Sequence, residues 1–278
     1  MDIFAYADQV QRGFELKSCG SVQYFIVPSI EQLGYVKHCF TSRLGGVSQG
    51  SFASLNFSFK REPEKSHIYE NFRIIASALE VEYESIVIAN YCHGDGVEIV
   101  GKEQCGFGLT RPNALPPCDS LIVNEPGVTA ITMHADCVPV FFADVKKRFG
   151  AVCHAGWKGV YSRIAQKTAH KLIHQLGMRP EELVIGIGPH IRSCCFEVQE
   201  DVWNLFQEEF GSFCLVEREQ KNYVDLSLAL LSQLGEEGVL APHITVANEC
   251  TKCRGDLLYS HRRDGKNAGA MASLMQII

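Results

Sequence analysis

Two short segments near the middle of the chain constrain its fold most. Met133-His134-Ala135-Asp136-Cys137-Val138-Pro139 leads into an apolar run that continues to Ala143. A second run, Phe149 to Val152, leads into His154-Ala155-Gly156-Trp157-Lys158-Gly159, and polar residues from Asp144 to Arg148 separate the two. Short apolar runs bounded in this way read as two buried strands joined by a turn. A cysteine then begins one strand and a histidine ends the next. If the strands pair antiparallel, the two side chains meet at one end of a sheet. A thiolate and an imidazole held together suit either a metal ion or a Cys/His nucleophile. A third ligand candidate, His93, lies in Tyr91-Cys92-His93-Gly94-Asp95-Gly96, where the apolar strand Ile86 to Ala89 gives way to a glycine turn.

Composition narrows the class. A hydrophobic content of 46% with 21% charged residues is enough for a packed core and argues against disorder. A net charge of -6 leaves no basic footprint for nucleic acid. No apolar run approaches a membrane span, and Met1-Asp2-Ile3-Phe4 does not begin a secretory signal, so a cytoplasmic protein is expected. The twelve cysteines then read as mostly reduced core thiols rather than disulfides. Cys250-Thr251-Lys252-Cys253 is a lone CxxC, and Cys194-Cys195 are adjacent. Neither pair has the spacing of a zinc site by itself, and both are expected to be core or loop thiols.

Periodicity places four helices. The first is capped by Ser66 and carries Ile68, Phe72, Ile75 and Leu79. The others span roughly Tyr161 to Leu176, Glu200 to Phe210 with Gly211 as its stop, and Leu226 to Leu234. Strands are expected at 23–27, 35–40, 86–90, 120–123, 129–133, 138–144, 150–153, 184–187 and 244–247. The Gly/Pro-rich stretch from Gly101 to Pro117 reads as a loop that can rim or cover a site. Several strands follow one another without an intervening helix, so the regular alternation of a doubly wound sheet is absent.

Further segments carry recognisable patterns: Thr41-Ser42-Arg43-Leu44-Gly45-Gly46-Val47-Ser48 with Ser54-Leu55-Asn56; Ile187-Gly188-Pro189 through Cys195-Phe196-Glu197-Val198; and Cys250-Thr251 with Ser260-His261-Arg262-Arg263-Asp264-Gly265. Together with the His93, Cys137 and His154 segments they resemble, in order and over roughly residues 35 to 278, the laccase-domain family, also called YfiH-like or multicopper polyphenol oxidase-like. The resemblance implies an α+β fold of mixed β-sheets enclosed by helices, as one domain over residues 1–278. It also implies a zinc-dependent purine nucleoside enzyme that phosphorolyses adenosine, inosine and methylthioadenosine and deaminates adenosine. The partners are then small molecules, a nucleoside and phosphate.

The metal ligands expected are His93, Cys137 and His154, an open set of three that leaves a coordination position free. Copper is the alternative ion. Asp136, beside Cys137, can serve catalysis only if a local turn redirects its side chain. Asp95 can orient a ring or handle a proton. Arg43, placed by Gly45 and Gly46, is the strongest candidate for an anion fork, and Lys158, Arg262 and Arg263 are further cations.

The sequence departs from the family pattern at four places. His134 stands where a Thr-type residue is usual, His190 where Cys is common, Lys158 where Arg is usual, and Ala268-Gly269-Ala270 in place of Thr-Gly-Arg. Three other functions remain open at this point. One is a cysteine hydrolase or amidase with Cys137 and His154, a chemistry linked within such families to peptidoglycan precursors. Another is copper-dependent polyphenol oxidation, which ten histidines with no His-x-His serve poorly. The third is a non-enzymatic metal-binding module.

Overall fold

The computed structural model describes residues 1–146 and 148–278. Its frame is two large sheets packed face to face. The seven-stranded sheet runs, edge to edge, Gln11–Arg12, Ile244–Val246, Leu183–Ile187, Val138–Asp144, Gly150–Ala155, Ser120–Val123 and Val97–Val100. The six-stranded sheet runs Glu15–Cys19, Val22–Ile26, Val36–Thr41, Met271–Ile277, Thr129–His134 and Ile86–Ile88. Both are mixed: in the first, Val97–Val100 pairs parallel with Ser120–Val123 and Ile244–Val246 pairs parallel with both Gln11–Arg12 and Leu183–Ile187; in the second, Ile86–Ile88 pairs parallel with Thr129–His134; the other neighbours are antiparallel. A small three-stranded sheet joins Glu197–Val198, Lys221–Val224 and Leu215–Arg218.

The strand Val138–Asp144 shows why its sequence is apolar from Val138 to Ala143. Phe141 and Ala143 point between the two sheets, where they meet Phe25, Phe40, Ala130, Met271 and Met275. Val140 and Phe142 point the other way, into a core shared with the helices Ile164–His170, Glu200–Phe210 and Leu226–Glu236. A strand covered on both faces needs apolar residues at both parities. On the outer face of the six-stranded sheet, Cys39, Ile131 and Leu274 pack under Ile68, Phe72 and Ile75 of the helix Lys65–Ala78. The layers are therefore helix, sheet, sheet, helix, the α+β arrangement expected. Among the described residues no helix is long and apolar enough to cross a membrane.

Most expected elements form, with four differences. Glu64, not Ser66, caps the first of these helices: its carboxylate accepts from both the amide and the hydroxyl of Ser66. The helix expected over 161–176 is broken. A turn of helix covers Trp157–Tyr161, Arg163 adopts a left-handed conformation (φ 63°), the helix resumes over Ile164–His170, and a π-turn follows at Lys171–Gln175. Arg163 is fastened there by ion pairs to Glu209 and Glu236, which offset its backbone strain. The last strand, Met271–Ile277, has no counterpart in the sequence reading. It lies at the centre of the six-stranded sheet between Val36–Thr41 and Thr129–His134. The strands Glu15–Cys19 and Val97–Val100 and the small sheet are likewise additions.

Candidate active site

The two central strands pair antiparallel as their sequence suggests, with His154 opposite Pro139 and Ala155 opposite Val138. Cys137, one residue before its strand, therefore comes to His154 near the end of the other. His93 joins them from the turn after Ile86–Ile88. The Nδ1 or Nε2 atoms of both histidines and the Cys137 sulfur lie within 4.8 Å of one another. His154 is buried, Cys137 half-buried and His93 exposed, so the cluster opens to one side.

A carboxylate that sequence reasoning did not single out organises the cluster. Asp119 Oδ1 accepts from His154 Nδ1 at 2.8 Å and from the His93 amide at 3.1 Å; Oδ2 accepts from the amides of Cys92 at 3.1 Å and Gly94 at 2.9 Å. The His154 amide also donates to the Asp119 carbonyl at 2.7 Å. The Asp119 carboxylate fixes His154 with its proton on Nδ1 and leaves Nε2 for a ligand. It also holds His93, whose φ is 61°, in its left-handed turn. The signal available was register alone: Ser120 pairs with Cys153, which sets Asp119 against His154.

The charges inside the cluster reinforce one another. Burial would raise the Cys137 thiol, but the neighbouring His154 charge and hydrogen bonds from His154 and His93 outweigh it and push it down to about 6. Burial would lower His154, but the Cys137 thiolate and the Asp119 hydrogen bond carry it up to about 9. Burial likewise opposes ionisation of Asp119, yet the His154 bond and the Gly94 and Cys92 amides bring it to about 2. The resting arrangement is a Cys137 thiolate paired with the His154 imidazolium, with the Asp119 carboxylate behind it.

Room above the cluster is kept by Gly156. A Cβ there would sit 3.3 Å from the Cys137 sulfur and 3.4 Å from the His93 ring. Two cavities meet at the cluster. One of about 290 Å³ is lined by His93, Cys137 and Asp136 together with Trp157, Ile191, Phe196, Leu226 and Arg262. The other, of about 440 Å³, adds His134 and His154 to Ser58, Lys60, Arg61, Tyr91, His261 and Ala270. The first is lined mainly by apolar and aromatic residues; the second adds the basic residues Lys60 and Arg61 to a wall that includes Tyr91 and Met133.

The remaining expected residues divide. Asp136 has the turn it needs, with φ 92°. Its carboxylate is nevertheless spent on Thr251 Oγ1 and the Arg262 amide, each 2.6 Å away, so it braces two later segments against the cavity. Arg262 lines the cavity, with its Cζ 5.5 Å from the Phe196 ring centre and Nη1 donating to the carbonyls of Cys195 and Glu197. Arg43 is not brought to the cluster. Its guanidinium donates to the carbonyls of Ala53, Gly255 and Ser51 and lies over Tyr259, which makes it a clamp on a loop. Lys158 points over its neighbour Trp157 and lines neither cavity. Arg263 holds the carbonyls of Thr251, Lys252 and Leu258. Asp95 pairs with Lys167, so the orienting role falls to Asp119 instead. No residue of the 101–117 loop lines either cavity.

The departures from the family pattern also find places. His134 lies beside His154, with ring centres 5.2 Å apart, but its nitrogens face the Cys137 carbonyl and the hydroxyls of Thr132 and Ser273. It is a brace under the Cys137 turn, and burial beside His154 keeps it uncharged. His190 is buried between the Gly188 carbonyl and the Ser227 hydroxyl. Ala270 leaves open a cavity wall near which Arg61, unremarked in the sequence, donates to the Ala268 carbonyl at 3.0 Å.

The fold and this site define a class: a double-sheet domain with a His/Cys/His cluster at the end of its central strands. The chain belongs to the multi-copper polyphenol oxidoreductase laccase family, whose model matches residues 37–278. It is 32% identical over 240 residues to purine nucleoside phosphorylase YlmD of Bacillus subtilis, covering 85% of this chain and 86% of that protein. It is 31% identical to the mouse purine nucleoside phosphorylase LACC1, covering 86% of this chain, and it spans about half the length of that protein (55%). The crystal structure of YlmD from Geobacillus stearothermophilus superposes with a TM-score of 0.88 at 28% identity, over 95% of this chain and 98% of that one. The Bacillus licheniformis YfiH structure gives the same TM-score over 99% of its length.

Proposed function

We propose that the chain is a metal-dependent purine nucleoside phosphorylase, with zinc held by His93, Cys137 and His154. The observation that carries the proposal is the position of this cluster on the wall shared by two unlike cavities, in a chain whose relatives are named for that activity. Two imidazoles and a thiolate whose donor atoms lie within 4.8 Å suit a tetrahedral ion with one position open. Bound zinc would supply Lewis-acid charge beside the reacting bond and lower the pKa of a bound water.

The chain's own residues supply the rest. Trp157, Phe196, Ile191 and Leu226 offer the flat apolar walls that a purine base takes. Lys60 and Arg61 face the other cavity and suit phosphate. In phosphorolysis an oxygen of hydrogen phosphate bonds to the ribose anomeric carbon as the bond to the base nitrogen breaks, and the base leaves with the proton that the phosphate gives up. The placement of base and phosphate on either side of the cluster suits that displacement. Adenosine deamination, with water as nucleophile, and turnover of methylthioadenosine are the finer parts of the same proposal.

A second reading keeps one specific observation. Asp119, His154 and Cys137 form a carboxylate–imidazole–thiolate relay of the kind a cysteine hydrolase uses. His93 is superfluous to such a relay, which favours the metal. The test is incubation of metal-analysed protein with adenosine, with and without phosphate. Base release that requires phosphate and is lost together with zinc in Cys137→Ala supports phosphorolysis. Full turnover in metal-free protein, or amide hydrolysis without nucleoside cleavage, refutes it.

A further inference from the structure

Two cysteine pairs that are far apart in sequence, one of them next to Phe196 in the chain, converge outside the His93 cluster. The sulfurs of Cys194, Cys195, Cys250 and Cys253 all lie within 4.8 Å of one another, and all four thiols are free. Cys253 Sγ is 3.5 Å from Cys195 Sγ and 3.9 Å from Cys194 Sγ. A disulfide requires about 2.05 Å, so these contacts are not bonds in waiting at their present spacing. Four sulfurs about 2.3 Å from a central ion at tetrahedral angles stand about 3.8 Å apart, and the observed distances bracket that value.

We propose that these four cysteines form a second metal site: a closed tetrathiolate that holds one zinc ion in a structural role. The local backbone is built for it. Residues 250–254 form a turn closed by the Arg254 amide on the Cys250 carbonyl at 3.0 Å. Burial would raise the Cys250 thiol, but the backbone of Arg192, Cys253 and Lys252 beside it holds it below its ordinary value. Backbone hydrogen bonds to a ligand sulfur stabilise a thiolate, as in the knuckles that CxxC sequences form around zinc. The adjacent pair also fits once its conformation is known. On a strand, Cys194 and Cys195 would face opposite ways. They lie instead in a tight turn, with the amides of Cys195 and Phe196 both on the Arg192 carbonyl at 2.8 Å, and so present their sulfurs to one side. Arg192 lines the same surface recess, its Nη1 on the Asn248 carbonyl, and brings positive charge beside the four sulfurs, whereas Arg254 is paired with Asp256.

Such an ion would tie the segment 190–198 to the segment 248–254. Both brace the apolar cavity: Arg262 donates to the Cys195 carbonyl, and Thr251 donates to Asp136. The site is separate from the His93 cluster and does not depend on its function. The discriminating measurement is the difference in zinc content between proteins purified under reducing conditions. The double variant C250S/C253S is expected to hold about one equivalent less than wild type, and H154A to retain that equivalent. Because the readout is a difference, it stands even if the first site binds no zinc. Should the variant not fold, wild-type protein loaded with Co²⁺ is expected to show the intense sulfur-to-cobalt charge transfer of a four-thiolate site. Equal zinc in wild type and double variant, a cobalt spectrum without that signature, or a native disulfide from Cys253 to Cys194 or Cys195 in the unreduced chain would overturn the assignment.

Discussion

Replacing Asp119 by Asn tests the logic of the cluster with the smallest change of shape. The carboxylate now accepts five hydrogen bonds, two at Oδ1 and three at Oδ2, the fifth from the Cys92 thiol at 3.5 Å. Asn has one acceptor oxygen and one donor nitrogen, and either orientation fails. With its oxygen toward His154, the amide nitrogen meets the Cys92 and Gly94 amides, donor against donor. With its nitrogen toward His154, it donates to Nδ1 and moves the imidazole proton to Nε2, where a metal would bind. Orienting carboxylates behind ligand histidines are worth about 10- to 100-fold in affinity or activity. Two amides losing a charged acceptor add about 1.5–3 kcal/mol each to the cost of holding the His93 turn. Zinc affinity of Asp119→Asn should therefore fall at least tenfold, with turnover falling in step. Competition against a coloured chelator gives the affinity, and melting of the metal-free proteins separates lost stability from lost binding. A variant that binds zinc within twofold of wild type at unchanged turnover would show that Asp119 does not orient His154.

Three further outcomes are expected. Gly156→Ala puts a methyl group 3.3 Å from the Cys137 sulfur and should cost roughly tenfold in zinc affinity or turnover; wild-type values in titration and assay would show that the space is not used. Arg61→Ala should raise the KM for phosphate about tenfold with little change in nucleoside KM, the reverse split excluding a phosphate role. His38 and His190 are buried and neutral, each lowered by burial to about 4, so the unfolded chain binds more protons than the folded one between pH 6.5 and 4. Their stabilising effect is complete above pH 6.5 and is lost as pH falls toward 4, about 2 kcal/mol for each by pH 5. Urea unfolding at pH 7 and pH 5 measures it, and equal stability at the two would contradict the burial of both rings as uncharged groups.

The sequence by itself determined the elements whose signal is local. The run Val138–Ala143 is apolar because both its faces are covered, and the helix Glu200–Phe210 ends where Gly211, at φ 83°, stops it. His93, Cys137 and His154 were legible as candidate ligands because each lies near the end or the start of a strand at a residue type suited to metal. Tertiary structure alone decided which polar groups meet. Asp119 lies across from His154 only through strand register, Arg43 faces carbonyls far from the cluster, and Arg61 reaches the site through a loop. The two cysteine pairs, uninformative separately, converge because a turn at 193–195 and a turn at 251–253 are held side by side, with His190 bridged to Cys250. Periodicity records how much of an element is buried and on which face. It carries no record of which distant segment lies opposite, and a site assembled from such segments is fixed only when the sheets close.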